Sequence, residues 1–447
     1  MKRRYSLVLV LFITLFLLFQ GQSLAAEMDL TGTWEGQLNG IRIVFHIEME
    51  DGSYVATMDS PDQGALGIPV SGVTFEGGKV KLVIAAIQGS YEATLTSDGQ
   101  KMAGTWSQSG YNLPMDMERR QDGDKASVNR PQEPQPPYPY QEIEVTYLNE
   151  EDDVKLAGTL TVPDGDGPFP AVLLITGSGS QDRDETLLGH KPFKVIADFL
   201  TRKGIAVLRA DDRGVGGSTG NPATVTTADL ARDALAGVAF LKTRLEIARE
   251  EIGLIGHSEG GMIAPMVAVE SEDVAFIILL AGPGLPGDEV IMYQVEAIAR
   301  TGEITEAALE QSLTEQRKIL DIVINVKDDQ EAARKIRTIL EDAVNNMSES
   351  DREAVINAYG SLDNYYQQTV NSLLLPWYRF FISYDPRPTL SRVKCPVLAI
   401  NGSKDLQVAA EPNLTAIKEA LQEAGNDQVT VKELPGLNHL FQHSETG

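Results

Sequence analysis

The sequence has 447 residues, 42% of them hydrophobic, a net charge of −26 and one cysteine. That length exceeds one small core and points to two or three domains, in a globular chain rather than a disordered or collagen-like one. The acid excess, 64 Asp and Glu against 38 Lys and Arg, disfavours nucleic-acid phosphates and anionic membranes as partners, and the lone Cys395 excludes an internal disulfide and a cysteine-cluster metal site.

At the N-terminus, Lys2, Arg3 and Arg4 precede an almost wholly apolar run from Ser6 to Phe19, and Ser23-Leu24-Ala25-Ala26 supplies small residues for cleavage. This pattern predicts a signal peptide over 1–26 and an exported protein, periplasmic or extracellular; the run is short for a membrane span, and an uncleaved anchor is the alternative. Residues 27–120 read as an all-β barrel or sandwich. Runs such as Ile41–Ile47 and Val80–Ile84 are rich in β-branched residues and are punctuated by Glu50-Asp51-Gly52, Glu76-Gly77-Gly78 and Ser97-Asp98-Gly99. The segments Thr31–Gly36 and Ala103–Ser107 resemble each other and predict equivalent strands, with Trp34 and Trp106 more suited to core packing than to ligand binding. Residues 121–141 form a linker, stiffened by Pro131, Pro134, Pro136, Pro137 and Pro139.

From Glu142 to Gly447 the pattern becomes α/β. Ile143, Val145 and Tyr147 alternate with polar residues and predict an antiparallel start. Apolar runs of buried-strand type follow at Ala171–Ile175, Ile205–Leu208, Ile252–Ile255, Phe276–Leu280 and Val397–Ile400, with helical segments at Phe193–Arg202, Ala228–Leu245 and Leu414–Ala424. Such alternation predicts a mostly parallel sheet covered on both faces. Between Pro286 and Pro376 there is no proline, and Leu309, Leu313, Leu320, Ile324 and then Ile336, Leu340, Val344 fall at helical spacing. Ser350 and Glu353 suggest a capping box. Residues of about 285–388 are therefore expected to form a helical insertion over the carboxyl edge of the sheet, where ligands bind in open α/β folds.

Gly256-His257-Ser258-Glu259-Gly260 matches G-x-S-x-G between a strand-like and a helix-like segment. A sharp turn there lifts the serine oxygen above the sheet, so Ser258 is the candidate nucleophile. His439, in a loop after the expected last strand Val429–Leu434, is the candidate base, with His443 as its rival. Asp405, just beyond Val397–Ile400, is the candidate acid, with Asp385 as the alternative. The oxyanion donors expected are the backbone N–H groups of Glu259 and of Ser178, or of Gly179, in the loop Thr176–Ser180. Arg183, between Asp182 and Asp184, is read either as a partner of Glu259 or of a substrate carboxylate, or as part of a local salt-bridge network.

Together these residues resemble the α/β-hydrolase superfamily, whose order is Ser258, Asp405, His439. Asp211–Ser218 looks like its D-x-R-G-x-G-x-S turn, usually structural. Ile175–Glu185, Gly256–Gly261 and Pro376–Pro386 look like a bacterial carboxylesterase subgroup similar to the serine aminopeptidase-like hydrolases. The resemblance covers about 142–443 and implies an α/β-hydrolase fold with a helical cap, and a serine carboxylesterase acting on short- to medium-chain esters through an acyl-enzyme, without metal or cofactor. A peptidase on short peptides and a non-catalytic binding protein are the alternatives. Two features depart from the family: Thr176-Gly177 stands where His-Gly is common, and the sequence stops eight residues after His439, where a final helix is expected to cover the sheet. Trp377, Tyr378, Phe380 and Phe381, near the cap's end, are expected either to bound the acyl pocket or to form core.

Overall fold

In the computed structural model, residues 29–447 are described, apart from 39–40, 51, 62–64, 88, 97, 109–110, 121–129, 188 and 303; the expected signal peptide and the start of the expected linker lie outside the described residues. The described residues open with nine antiparallel strands: β1 (Gly32–Leu38), β2 (Ile41–Glu50), β3 (Ser53–Ser60), β4 (Ala65–Val70), β5 (Gly72–Glu76), β6 (Lys79–Ile84), β7 (Gly89–Leu95), β8 (Lys101–Gln108) and β9 (Tyr111–Arg119). Their order is β4-β3-β2-β1-β9-β8-β7-β6-β5, so the first strand pairs with the last. Because β3 also touches β5 and β4 touches β6, the sheet curls over its own core. Side-chain alternation fills that core: Trp34, Phe45 and Met58 stand opposite one another on adjacent strands and join Leu82, Tyr91, Trp106 and Met117. The two similar segments are β1 and β8, which flank β9, and their tryptophans are 0% and 2% exposed.

Residues 131–139 carry neither helix nor strand and lead into the second sheet. Its strands are β10 (Tyr140–Asn149), β11 (Val154–Pro163), β12 (Phe169–Ile175), β13 (Ala206–Ala210), β14 (Ile247–His257), β15 (Val274–Leu280), β16 (Val397–Gly402) and β17 (Val429–Leu434), in the order β10-β11-β13-β12-β14-β15-β16-β17. β11 runs antiparallel to both neighbours and the remaining pairs are parallel. Helices α1 (Pro192–Arg202), α2 (Thr227–Thr243) and α3 (Glu259–Glu270) follow β12, β13 and β14. α2 begins where Thr226 and Asp229 close a reciprocal capping box. The central strands are apolar on both sides because both faces are covered: Leu173 and Leu254 pack with α2 and α3, and Val172 and Leu174 pack with α1. Each such side chain, once buried, contributes roughly 1.5–3 kcal/mol. On the α1 face Phe276, Ile278, Leu280, Leu398 and Ile400 remain only partly buried.

Between β15 and β16 come α4 (Gly287–Ala299), α5 (Glu306–Asn325), α6 (Asp329–Asn345), α7 (Glu349–Tyr359), α8 (Leu362–Leu373), α9 (Pro376–Ser383) and α10 (Arg387–Leu390); α11 (Ala410–Glu423) then separates β16 from β17. The insertion has its own core, in which Leu320, Ile336, Leu340 and Tyr365 meet Met262 of α3. One local expectation is corrected: α7 is capped by Ser348, whose hydroxyl accepts from the Asp351 N–H at 3.1 Å, and Ser350 lies inside the first turn. Among the described residues no helix is long and apolar enough to cross a membrane.

Candidate active site

Strand β14 ends at His257, α3 starts at Glu259, and the whole change of direction is made by Ser258, at φ 52° and ψ −117°. A non-glycine residue held there costs roughly 1–3 kcal/mol. Its surroundings hold it in place: the Ser258 N–H donates to Leu280 O at 2.8 Å and Ser258 O accepts from the Gly261 N–H at 2.9 Å. Two glycines are obligatory. A Cβ on Gly256 would lie 1.9 Å from Gly260 O, and one on Gly260 would lie 2.2 Å from Ile175 O. The elbow is thus packed too closely for side chains, while Ser258 itself stays partly exposed between buried neighbours.

His439 and Asp405 are brought together from two other loops. Nδ1 of His439 lies 2.7 Å from Oδ2 of Asp405, and both residues are 7% exposed. Oδ1 of Asp405 accepts from the N–H groups of Gln407 and Val408, each at 2.8 Å. A carboxylate fixed in this way accepts a hydrogen bond from the Nδ1–H and leaves Nε2 of His439 as the acceptor. Among the described residues the hydrogen bonds of His439 run from its ring to Asp405 and to its carbonyl from His257, and none is made with Ser258 Oγ. The rivals lie elsewhere. His443 is exposed and its backbone bridges to Leu437, while Asp385 is tied to Arg387 at 2.7–2.8 Å at the end of the cap.

The loop after β12 carries Ser178 and Gly179 alongside the elbow. A Cβ on Gly177 would lie 3.1 Å from the Ser258 Cβ, which places this backbone against the serine. The Gly177 N–H donates to Glu185 Oε1 at 2.7 Å. Asp212, just after β13, accepts from Thr176 Oγ1 at 2.8 Å and from the Gln181 N–H at 2.9 Å, so one carboxyl ties both ends of the loop. Thr176, at the position where the resemblance leads one to expect histidine, is the group that makes this tie. Burial pushes the Asp212 carboxyl from its ordinary 3.8 up to about 8; the hydrogen bonds from Gln181 and Thr176 oppose the rise, and the charges of Glu259 and Glu185 add to it. Arg183 does not reach Glu259. It grips Asp211 through Nε and Nη2 at 3.0 and 2.8 Å and reaches Glu144 at 2.6 Å, a salt-bridge network that shapes the loop.

The side chain of Glu259, 1% exposed, lies in the seam with the cap. Its Oε1 accepts from Thr227 Oγ1 at 2.7 Å, and the Trp377 indole N–H, on α9, lies 2.8 Å from both carboxylate oxygens. Burial pushes this carboxyl above its usual range, against hydrogen bonds from Thr227, Trp377 and Ser178 that pull it down. The cap therefore touches the residue after Ser258. Its aromatics divide: Tyr378 and Phe381 are buried in the cap core, and Trp377, stacked 5.6 Å from Phe381, carries the polar contact.

Sequence reasoning missed Glu185, Asp212 and Thr227. Glu185 and Asp212 stand inside quoted motifs, but nothing in their spacing distinguishes a buried carboxyl from a loop acid. Among the described residues no group of three or more His, Cys, Asp or Glu is placed to hold a metal.

A family model described as serine aminopeptidase, S33, matches residues 191–446. Esterase EstD of Thermotoga maritima is 30% identical over 287 residues, which make up 64% of this chain and 58% of the esterase. The chain thus spans less than two thirds of the length of that relative. Among solved structures, the alpha/beta hydrolase GrgF from Penicillium sp. sh18 is 19% identical, with 68% of this chain and 91% of that one covered at a TM-score of 0.42. The Pyrococcus furiosus esterase Pf2001 is 17% identical, with 68% and 83% covered at a TM-score of 0.40.

Proposed function

Because the chain belongs to the serine aminopeptidase S33 family and has an α/β-hydrolase fold behind an N-terminal β domain, we propose that it is an exported serine carboxylesterase for short- to medium-chain esters. The observation that carries this reading is the 2.7 Å pair of His439 and Asp405, with the His439 carbonyl bonded to the residue before a Ser258 held in a strained elbow. The name of the Thermotoga maritima relative, an esterase, agrees with it.

In this reading His439 Nε2 takes the proton of Ser258 Oγ as that oxygen attacks the ester carbonyl. The Asp405 carboxylate stabilises the imidazolium that forms. The negative oxygen of the tetrahedral intermediate is held by two backbone N–H groups. Glu259 supplies one, since the first N–H of a helix has no acceptor within it. Ser178 supplies the other, because the preceding Gly177 N–H is already engaged by Glu185. His439 then protonates the departing alkoxide, and a water activated by the same imidazole releases the acid from Ser258.

The test is turnover of p-nitrophenyl esters from acetate to laurate, beside aminoacyl anilides, by wild type and Ser258→Ala. We expect ester turnover that falls by about 10⁴-fold or more in Ser258→Ala. Anilide turnover without ester turnover would replace the esterase by a peptidase, as the family's description allows. A folded wild type silent on both would sink the catalytic reading.

A further inference from the structure

His257, the residue before Ser258, is buried, and each of its ring nitrogens meets an acceptor. Nδ1 lies 2.9 Å from Glu185 Oε1 and Nε2 lies 3.1 Å from the backbone carbonyl of His439. A carbonyl oxygen can only accept, so Nε2 carries a proton. The Glu185 oxygen already accepts the Gly177 N–H at 2.7 Å, so it is used as an acceptor as well. Neutral imidazole has one donor and one acceptor nitrogen and satisfies only one of these contacts with a carboxylate. We propose that His257 is a positioning residue: a buried imidazolium, paired with Glu185, that ties the loop bearing Ser178 to the loop bearing His439 on either side of Ser258. The inference rests on the esterase reading for what the two loops do.

The geometry gives each contact a consequence. Holding the His439 carbonyl fixes the backbone of the base, while Asp405 fixes its ring. Engaging Gly177 through Glu185 removes that N–H from the oxyanion site and sets the next one, Ser178. The His257 and His439 rings are 4.9 Å apart, so the end of β14 meets the loop of His439 at these residues. The groups that face His257 are Glu185 from the loop after β12, His439 from the loop after β17 and Asp405 from the turn after β16; Asp212, after β13, acts in turn on the same cluster, beside Glu185 and Glu259. Burial alone disfavours the charged ring, but the charge of Glu185 and the two hydrogen bonds outweigh it and hold His257 above its usual value.

Two measurements decide it. In ¹⁵N NMR of histidine-labelled wild type, both nitrogens of His257 should carry protons at pH 8, when a free imidazole is neutral. Glu185→Gln keeps the shape and, with its oxygen at the shared position, the acceptor for Gly177, but it removes the negative charge that offsets burial, so His257 should become neutral. In that variant kcat should fall about tenfold with KM little changed. A purely structural contact does not move the spectrum. A singly protonated His257 in the wild type, or a Glu185→Gln enzyme with the wild-type kcat, overturns the proposal. An unfolded variant leaves the wild-type spectrum to decide. If the wild type turns over no ester while His257 is doubly protonated, the esterase reading fails and the buried ion pair stands.

Discussion

Carboxyls crowd around the loop beside Ser258: Glu185 and Glu259 both act on Asp212, and His257 is the cationic group paired with Glu185. Asp212 bears the cost. It releases its proton at about 8 in the fold and near its ordinary 3.8 when unfolded, so between those values the folded chain binds the extra proton. Stability from this group is therefore fully present below about pH 4 and is lost as the pH rises towards about 8. Asp212→Asn, which mimics the protonated acid and keeps an acceptor for Gln181, should match wild type near pH 4 and become the more stable of the two towards pH 8. Melting temperatures of both proteins across that range check this, and a gap that does not widen with pH would falsify the assignment. Spacing alone could have marked Asp212 only as a turn residue; its burial comes from Thr176 and Gln181, about thirty positions away.

At the scale of elements, α9 matters more than its eight residues suggest. It carries the cap to the residue after Ser258, through the Trp377 indole on Glu259. The helical spacing of the insertion and the proline at its end made the cap legible, because an amphipathic pattern is a local property. Which of four aromatics would face the site was not legible, since Trp377 and Phe381 lie on one stacked face and only the position of α3 separates them. Trp377→Phe keeps the stack and removes the N–H that meets both oxygens of a buried carboxyl, leaving it with the hydrogen bonds of Thr227 and Ser178. We expect a loss of about 1–3 kcal/mol in urea unfolding. An unchanged midpoint would mean that the contact carries no weight in the fold.

At the scale of the molecule, the buried residues among those described fall into separate cores: one made by β1–β9 and the others by the sheet β10–β17 and its helices. The tryptophans divide the same way, with Trp34 and Trp106 in the first and Trp377 in the cap. In Trp377→Phe the remaining indole fluorescence reports the β domain alone, whereas far-ultraviolet circular dichroism is dominated by the helices of the other part. Heating or urea should give different midpoints by the two probes, as expected for separate cooperative units. Coincident midpoints would show that the two parts unfold as one.

The sequence by itself determined the division into a β domain, a proline-rich linker and an α/β domain with a helical insertion, because strand alternation, helical spacing and turn residues are written over short stretches. It also determined that Ser258 sits in an elbow, since the glycines at 256 and 260 are demanded by contacts within a few residues and with the neighbouring strand. The chain order of Ser258, Asp405 and His439 was legible for the same reason: each follows a recognisable strand. Only the tertiary structure decided which acid meets His439, that Arg183 belongs to Asp211 and Glu144, and that His257 lies between Glu185 and the His439 carbonyl. Those pairings join residues up to 182 positions apart, and their chemistry depends on burial, which no local pattern encodes.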